Sequence, residues 1–506
     1  SVKAKISDKN SATGTLTVTT GPTVDEYDKV VLLATNGHAT TMSSISFEEA
    51  GLRINSDVTY DIPADAQTID INIETNASYT VSIPEEAQDW ISHTAPSRAW
   101  RSETITLKIE ANESDARTAT VTLLDEDGKP LGSIVIKQDS DFPDPFTAFP
   151  DEVFRNYVLR NFDTNKDGRI SSEEALNVTK IYIGVSDKLE SLDGIEYFPN
   201  LTSLECFCLY KLTSLDVSKN TKLTELLCYE NRQLTSINVS NNKLLTKLDC
   251  SRNKLTSLDI YNNTKLTWLA CYDNELTELD IRTNWQLSVL GCQNNKISDL
   301  DVPQLPYLTV LICDNNNFSR LSLWNNANLT QLSCCHNNIT ELDTSHNSQL
   351  VALRCNYNQL TTLDVTNKAF LKVLYCDNNN ITELDITNNK LLAEFNCSDN
   401  SLTELDVSNN IQLNKLYCDN NNLTSLDLTK NTALEFLHCN NNQLTILDVS
   451  RTNIGDAYST YYDDVLECHM SSLETLILKT GWNLHTLITG GSEGDYYDNA
   501  KIQYVD

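Results

Sequence analysis

Leu413-Asn-Lys-Leu-Tyr-Cys-Asp-Asn-Asn-Asn-Leu-Thr-Ser-Leu-Asp-Leu-Thr-Lys-Asn-Thr-Ala433 is the stretch that decides how this chain folds. Its pattern, Leu-x-x-Leu-x-Cys-x-x-Asn-x-Leu-Thr-x-Leu-Asp-Val-Ser-x-Asn-x-x, recurs with little change on both sides. Cysteine marks the register. Cys250, Cys271, Cys292, Cys313, Cys334, Cys355, Cys376, Cys397, Cys418 and Cys439 stand 21 residues apart, and Cys206 and Cys228 lead in at steps of 22. A fixed period of about 20 residues marks a solenoid, in which each repeat is one coil that buries a face on the next. Leu at positions 1 and 4 and Cys at position 6 send three side chains of every coil into the core. The coil is too short for a full helix, so its return side is expected to be extended or 3-10.

Asn at position 9 recurs as Asn231, Asn253, Asn274, Asn295, Asn316, Asn337, Asn358, Asn379, Asn400, Asn421 and Asn442. It is expected to turn inward and satisfy backbone groups of neighbouring coils, because a buried polar group left unsatisfied costs about 1–3 kcal/mol. The ladder cysteines are read as small apolar core residues. Each thiol has two equivalent neighbours about 4.8 Å away, a geometry that suits disulfides poorly. No Cys-x-x-Cys pair is present to suggest a metal. Cys208, Cys335 and Cys468 fall off the 21-residue spacing, and Cys335 is expected to face outward as a plain exposed cysteine, with a reactive thiol as the alternative.

The Leu-x-x-Leu-x-(Leu/Cys)-x-x-Asn-x-Leu core, repeated about twelve times from Leu201 to Leu444, is the leucine-rich repeat signature. Residues 181–455 resemble the internalin branch of that family, in its cysteine-ladder, 21-residue form. The resemblance implies a surface-exposed recognition protein without enzymatic activity. No His-Glu-x-x-His occurs, and the seven histidines are scattered.

Asp259, Asp280, Asp301, Asp343, Asp364, Asp385, Asp406, Asp427 and Asp448 follow nine residues after the ladder cysteines, and Asp216 follows at ten. Such a row is either a weak cation stripe or an edge of acids capping turn amides, and the second is expected. Strand alternation places positions 3, 5 and 7 outward on the parallel sheet. There the repeats stop being uniform: Tyr229, Trp268, Tyr272, Val310, Ile312, Tyr375, Asp377, Tyr417, Asp419, Phe436 and His438 occupy them. Outward aromatics among acids and amides suit a binding strip for a protein partner, and would also stack on sugar rings.

Ahead of the repeats, Asp163-Thr-Asn165-Lys-Asp167-Gly168-Arg169-Ile170-Ser171-Ser-Glu-Glu174 has the twelve-residue EF-hand pattern. Asp163, Asn165, Asp167, the Arg169 carbonyl, Ser171 and Glu174 would supply oxygens to calcium, and Gly168 permits the sharp turn. A second matching loop is absent from the sequence, so a structural calcium holding a helical cap, residues 139–180, is expected.

Residues 51–138 alternate apolar and polar residues in short runs, as a sandwich would. Asn76-Ala-Ser-Tyr-Thr-Val-Ser82, Asp89-Trp90-Ile91, Ala116-Arg-Thr-Ala-Thr-Val-Thr122 and Ile134-Val-Ile-Lys-Gln138 resemble the BACON family, an immunoglobulin-like module associated with Bacteroidetes and named for suspected carbohydrate binding. Trp90 reads as core and Trp100 as the exposed aromatic. Residues 1–50 read as the end of a preceding β domain. Residues 456–506 are expected to cap the solenoid, with strands at Leu473–Leu478 and Leu484–Ile488.

The expected fold class is thus multidomain: an N-terminal all-β immunoglobulin-like sandwich, a small EF-hand-like helical cap and a leucine-rich repeat solenoid with a parallel concave sheet, whose concave face would take the ligand. The formal net charge of −32 argues against nucleic acid and anionic membrane surfaces. No run of about 18 apolar residues suggests a membrane span. The two resemblances together imply an exported, lipid-anchored, monomeric protein at a bacterial surface, its export signal removed ahead of residue 1.

Overall fold

The computed structural model describes residues 52–62, 66–75, 78–93, 101–112, 116–138, 144–454, 465–482 and 500–506, and four earlier strands as backbone alone. Those four form two hairpins: β1 (Lys3–Ile6) with β2 (Leu16–Thr19), and β3 (Lys29–Thr35) with β4 (Thr40–Ser46). The chain divides into two compact units, residues 1–143 with 171–173, and residues 144–170 with 174–506.

In the first unit, β5 (Leu52–Ile54), β6 (Thr59–Ile62), β7 (Gln67–Thr75), β8 (Thr80–Ser82), β9 (Ile91–His93), β10 (Arg101–Ile109), β11 (Arg117–Leu124) and β12 (Pro130–Gln138) make two four-stranded sheets. Their orders are β5-β7-β10-β9 and β6-β12-β11-β8. Every pairing is antiparallel except β6 with β12. Alternation explains the core. Ile69, Ile71 and Ile73 of β7 face inward with Ile105, Leu107 and Ile109 of β10, Val121 and Leu123 of β11, and Ile134 and Ile136 of β12. Trp90 joins that core, with the Arg117 guanidinium 4.3 Å from its ring centre. Trp100 lies outside the described residues, as do Asn76, Ala77 and the acidic linker at 139–143.

The second unit opens with helices α1 (Pro145–Ala148), α2 (Glu152–Phe162) and α3 (Ser172–Asn177). Asp151 caps α2 by accepting from the Val153 and Phe154 amides, and its other oxygen accepts from the Glu190 and Ser191 amides. Phe149 and Phe162 pack on Phe198, with ring centres 5.8 and 5.6 Å away. The helical cap is thereby fixed to the start of the solenoid.

The solenoid itself is a fourteen-stranded parallel sheet running from β13 (Lys180–Ser186) to a last strand at Leu466–Glu467. Most of its strands are three residues long, such as Lys415–Tyr417, because one turn of coil contributes only positions 3 to 5. Register is uniform: leucines at position 4 face one another down the sheet, Leu374 with Phe395, Phe395 with Leu416, Leu416 with Leu437. The return side is mostly irregular turn, with 3-10 segments at Ile195–Tyr197 and Val302–Gln304 and short extended pairs, as expected, such as Ser214–Asp216 with Ser236–Asn238.

Two sequence expectations need correction. Cys468 is on the ladder. Leu437 pairs with Leu466 and the Cys439 amide donates to the Glu467 carbonyl at 2.8 Å, so the repeat resumes after a longer coil instead of dissolving at Arg451. Spacing alone hid it, since 29 residues separate Cys439 from Cys468. Cys335 occupies an outward position but is only 8% exposed. Its amide donates to Asp314 and its thiol to Asn356, and burial pushes that thiol up to about 12, which makes it unreactive. The closing strand is Lys501–Val505, parallel to Thr475–Lys479, and residues 484–488 lie outside the described residues.

Candidate functional site

The inward side of each coil is built to be constant. The ladder thiols from Cys206 to Cys439 are buried and form no disulfide. Burial pushes Cys206 and Cys292 up to about 12, so the thiols stay protonated. Position 9 does the stitching. The Asn274 side-chain amide donates to the Cys250 and Cys271 carbonyls at 2.9 and 3.1 Å, and its oxygen accepts from the Leu255 amide at 2.9 Å. Asn316 and Asn421 repeat that set.

Between Cys and Asn, position 8 is left-handed in every coil from Cys208 (φ 54°) to Asn441 (φ 54°). The turn that brings Asn inward requires it, and Asn and Asp tolerate it best among residues with a side chain. Sequence reading missed this row, although the run of Asn and Asp at position 8 was its signal.

A second inward amide was also missed. Asn220, Asn242, Asn263, Asn284, Asn326, Asn347, Asn389, Asn410 and Asn431 are all buried at position 19. Asn410 donates to the Ile386 and Asn389 carbonyls of the preceding coil at 3.1 and 2.9 Å, and the others do likewise. One coil substitutes Lys368, whose buried ammonium donates to Thr344 and Asn367. Burial pulls its pKa down.

The aspartate row caps turns. At Asp216, Asp259, Asp280, Asp343, Asp364, Asp385, Asp406, Asp427 and Asp448 the carboxylate accepts the amide two residues on, at 2.8 to 3.1 Å. Arg282 holds Asp280 down at about 2. Backbone and side-chain hydrogen bonds from Ser345 and Thr366 lower Asp343 and Asp364.

The outward side of the sheet varies instead. Tyr229, Trp268, Tyr272, Val310, Ile312, Tyr375, Tyr417, Asp419, Phe436 and His438 are half-buried there, leaning on neighbouring coils. Near the first coils Tyr182, Phe207 and Tyr229 form an aromatic column, the last two stacked at 5.3 Å. Cations cover several rings: Lys247 sits 5.4 Å from Trp268, Arg252 5.9 Å from Tyr272, Arg354 5.4 Å from Tyr375 and Lys415 5.5 Å from Phe436. Tyr417 and His438 meet edge to face at 4.9 Å. The Tyr375 hydroxyl donates to Glu394 at 2.7 Å. Asp377 departs from the expectation of an open contact residue, being 6% exposed. Burial raises the pKa of both Asp377 and Asp419.

The loop at 163–174 folds back on itself. Asp163 accepts from the Lys166 and Gly168 amides, Asn165 from Asp167, and Asp167 from Arg169. Buried Glu174 accepts from the Thr164 amide at 2.6 Å, which draws the loop's ends together. Gly168 takes φ 84°, a value its neighbours' side chains would resist. Arg169 is exposed and Ser171 buried. Among the described residues no three His, Cys, Asp or Glu side chains converge as a metal-binding group.

No family model matches the chain, and no curated protein matches it in sequence. Among solved structures it is similar to the functional domain of InlJ from Listeria monocytogenes, described as including a cysteine ladder. Identity is 31% over 66% of this chain and 82% of that one, with a TM-score of 0.49. It is also similar to the internalin InlF from Listeria monocytogenes strain 4b F2365, at 21% identity over 66% of this chain and 97% of that one, TM-score 0.55. The InlF likeness shows the fold. That fold is the leucine-rich repeat solenoid, which in this chain carries a buried cysteine ladder.

Proposed function

We propose that the chain is a non-enzymatic recognition protein that binds a protein ligand on the outward face of its parallel sheet. One observation carries the reading. Positions 1, 4, 6 and 9 hardly change from coil to coil, while positions 3, 5 and 7 change at almost every step and acquire Tyr, Trp, Phe and His. The ladders need nothing from those positions, so their variety answers to something outside the coil, and aromatic side chains dominate binding hot spots. Half-buried Asp419 adds support, since burial raises its pKa and its charge therefore costs the fold free energy at neutral pH, which suits a group kept for a ligand. The test is a protein array probed with the full chain and with a Trp268→Ala/Tyr272→Ala variant. The reading expects hits weakened roughly tenfold or more by the variant; hits unmoved by any face substitution would end it.

The competing reading is a carbohydrate-binding surface protein. It rests on taking the two-sheet unit as a BACON-like, immunoglobulin-like module, supported by its two packed four-stranded sheets and its buried Trp90, or on sugar rings stacking along the same aromatic strip. A glycan array probed with the same two proteins separates the readings.

We further propose that the 163–174 loop holds calcium. The oxygen donors are of the right kind for a hard cation, and Glu174 already closes the loop. Bound there, calcium would supply charge neutralisation and stiffening to the helical cap, with Asp163, Asn165, Asp167, the Arg169 carbonyl, Ser171 and Glu174 holding it. Calorimetric titration should show one site that Asp163→Ala removes; equal heats from both proteins would reject it. Finally, we propose an exported, lipid-anchored monomer. Core thiols sealed from solvent support this, since they need no reducing compartment to stay reduced.

A further inference from the structure

Four successive coils carry something the sheet face does not. Tyr261, Trp285, Tyr307 and Trp324 project from the turn side of the coils marked by Cys250, Cys271, Cys292 and Cys313. They are 57, 49, 55 and 61% exposed. Trp285 and Trp324 are both of the exposed tryptophans among the described residues. The repeat itself shows how unusual this is. The position of Tyr261 and Trp324 is Ser or Thr in Ser218, Ser240, Ser345, Thr366, Thr387, Ser408, Thr429 and Ser450. The positions of Trp285 and Tyr307, just before the next coil's leucine, elsewhere hold mainly residues such as Thr264, Lys265, Asn328, Ser348 and Gln349. No ladder uses these aromatics. Large exposed apolar groups on a soluble surface, gathered on neighbouring coils, mark an interaction site.

Their surroundings select the partner. From residue 245 to 356 these four rings are the exposed large hydrophobic side chains, with no aliphatic beside them. A protein-binding hot spot places its aromatics in a desolvated apolar pocket; these stand up among amides. Trp285 and Tyr307 lie 6.1 Å apart and tilted by 48°, an open pair of ring faces. Gln286 donates to the Thr264 carbonyl, Asn325 to Pro303 and Asn328 to Pro306, so each amide is held in place near the rings. Arg282, one coil on from Tyr261, is neutralised by Asp280 through bonds of 2.9 and 2.7 Å. Rings that offer π faces to C–H groups, flanked by fixed amides, match a sugar chain, and the Asp259 carboxylate that accepts the Tyr261 amide favours a neutral chain over an acidic one. Coils about 4.8 Å apart would let successive sugars meet successive coils.

We infer that Trp285 and Tyr307, with Tyr261 and Trp324 on the coils before and after, form a binding platform for a neutral polysaccharide, separate from the sheet face. The test is electrophoresis of the full chain through native gels that contain hydroxyethyl cellulose, mixed-linkage glucan, xylan or galactomannan. At least one polymer should retard the protein. Trp285→Ala/Tyr307→Ala should weaken that retardation roughly tenfold or more, while leaving the melting temperature unchanged, because both rings are solvent-exposed. Trp268→Ala/Tyr272→Ala should still be retarded like the parent. Free migration in all four gels, or equal retardation of the Trp285/Tyr307 variant, would overturn the platform. So would a protein-array hit lost only in the Trp285/Tyr307 variant, which would make this a protein site.

Discussion

Cys271 and Tyr272 are neighbours in sequence and opposites in role. One faces the core, where twelve ladder cysteines from Cys206 to Cys439 occupy equivalent places. The other faces outward, where its counterparts include Phe207, Ser251, Gln293, Asp314 and Asn356. The difference teaches that in a stacked coil the two sides answer to different demands. An inward residue touches its own copies above and below, so any change breaks two contacts. An outward residue touches solvent or a partner, and is free to be chosen for it.

The largest effect should come from breaking the inward side. Asn316→Ala removes a side chain that donates to the Cys292 and Cys313 carbonyls and accepts from the Ile297 amide. Leaving those groups unsatisfied should cost about 3 kcal/mol in a denaturant titration. Cys313→Ser, which puts a hydroxyl in the place of a buried thiol, should cost about 1–3 kcal/mol. A loss near zero for either would mean that neighbouring coils slip to compensate.

Lys368 sharpens the comparison, because it puts a cation at an inward place that the other coils fill with an amide or, at Leu305 and Thr452, with a neutral side chain. Lys368→Asn restores the usual residue and should raise stability by about 1 kcal/mol or more. The sign with pH follows from the lowered pKa. The unfolded chain binds the proton more tightly, so parent stability should rise with pH between the lowered folded value and 10.5. The variant should lose that slope. An unchanged slope would place the charge elsewhere.

Acid should then act on the turns. The Asp280 carboxyl is held at about 2 and those of Asp343, Asp364, Asp385, Asp406 and Asp427 are also lowered. Their stabilisation is complete above the ordinary value of 3.8 and is lost as pH falls through the folded values toward 2. Asp377 runs the other way: its raised pKa means that protonation relieves the fold, so Asp377→Asn should leave stability at pH 7 equal or higher. A melting series between pH 2 and 7 on the parent and on Asp377→Asn checks the pair of signs.

On the face, stability and binding should separate. Trp268→Ala/Tyr272→Ala should move the melting temperature little, about 1–2 kcal/mol from lost cation and stacking contacts, while removing ligand binding.

The repeat was legible because its period is covalent: Leu, Cys and Asn return at fixed steps, and geometry then dictates what they face. Asn410 and the left-handed Asn420 obeyed the same period, but their roles depend on carbonyls of another coil, which one line of sequence does not display. Cys468 was missed because a longer coil breaks the count without breaking the stack. The outward position of Tyr375 followed from alternation alone. The burial of Asp377 and Cys335 did not, since it depends on the side chains of the coils on either side. For the loop at 163–174, donor types were readable and their actual hydrogen-bond partners were not.

The central claim is that every ladder cysteine from Cys206 to Cys439 faces a sealed core while the next residue turns to the other face of the sheet, which is open at Tyr272. Native-state thiol labelling read by mass spectrometry tests it on the Tyr272→Cys protein. The new thiol at 272 should label within the mixing time, while Cys271 and the other eleven ladder cysteines from Cys206 to Cys439 stay unlabelled until the protein unfolds. Labelling of Cys271 at the rate of its neighbour, or ladder cysteines that need reductant before they react in denaturant, would contradict it.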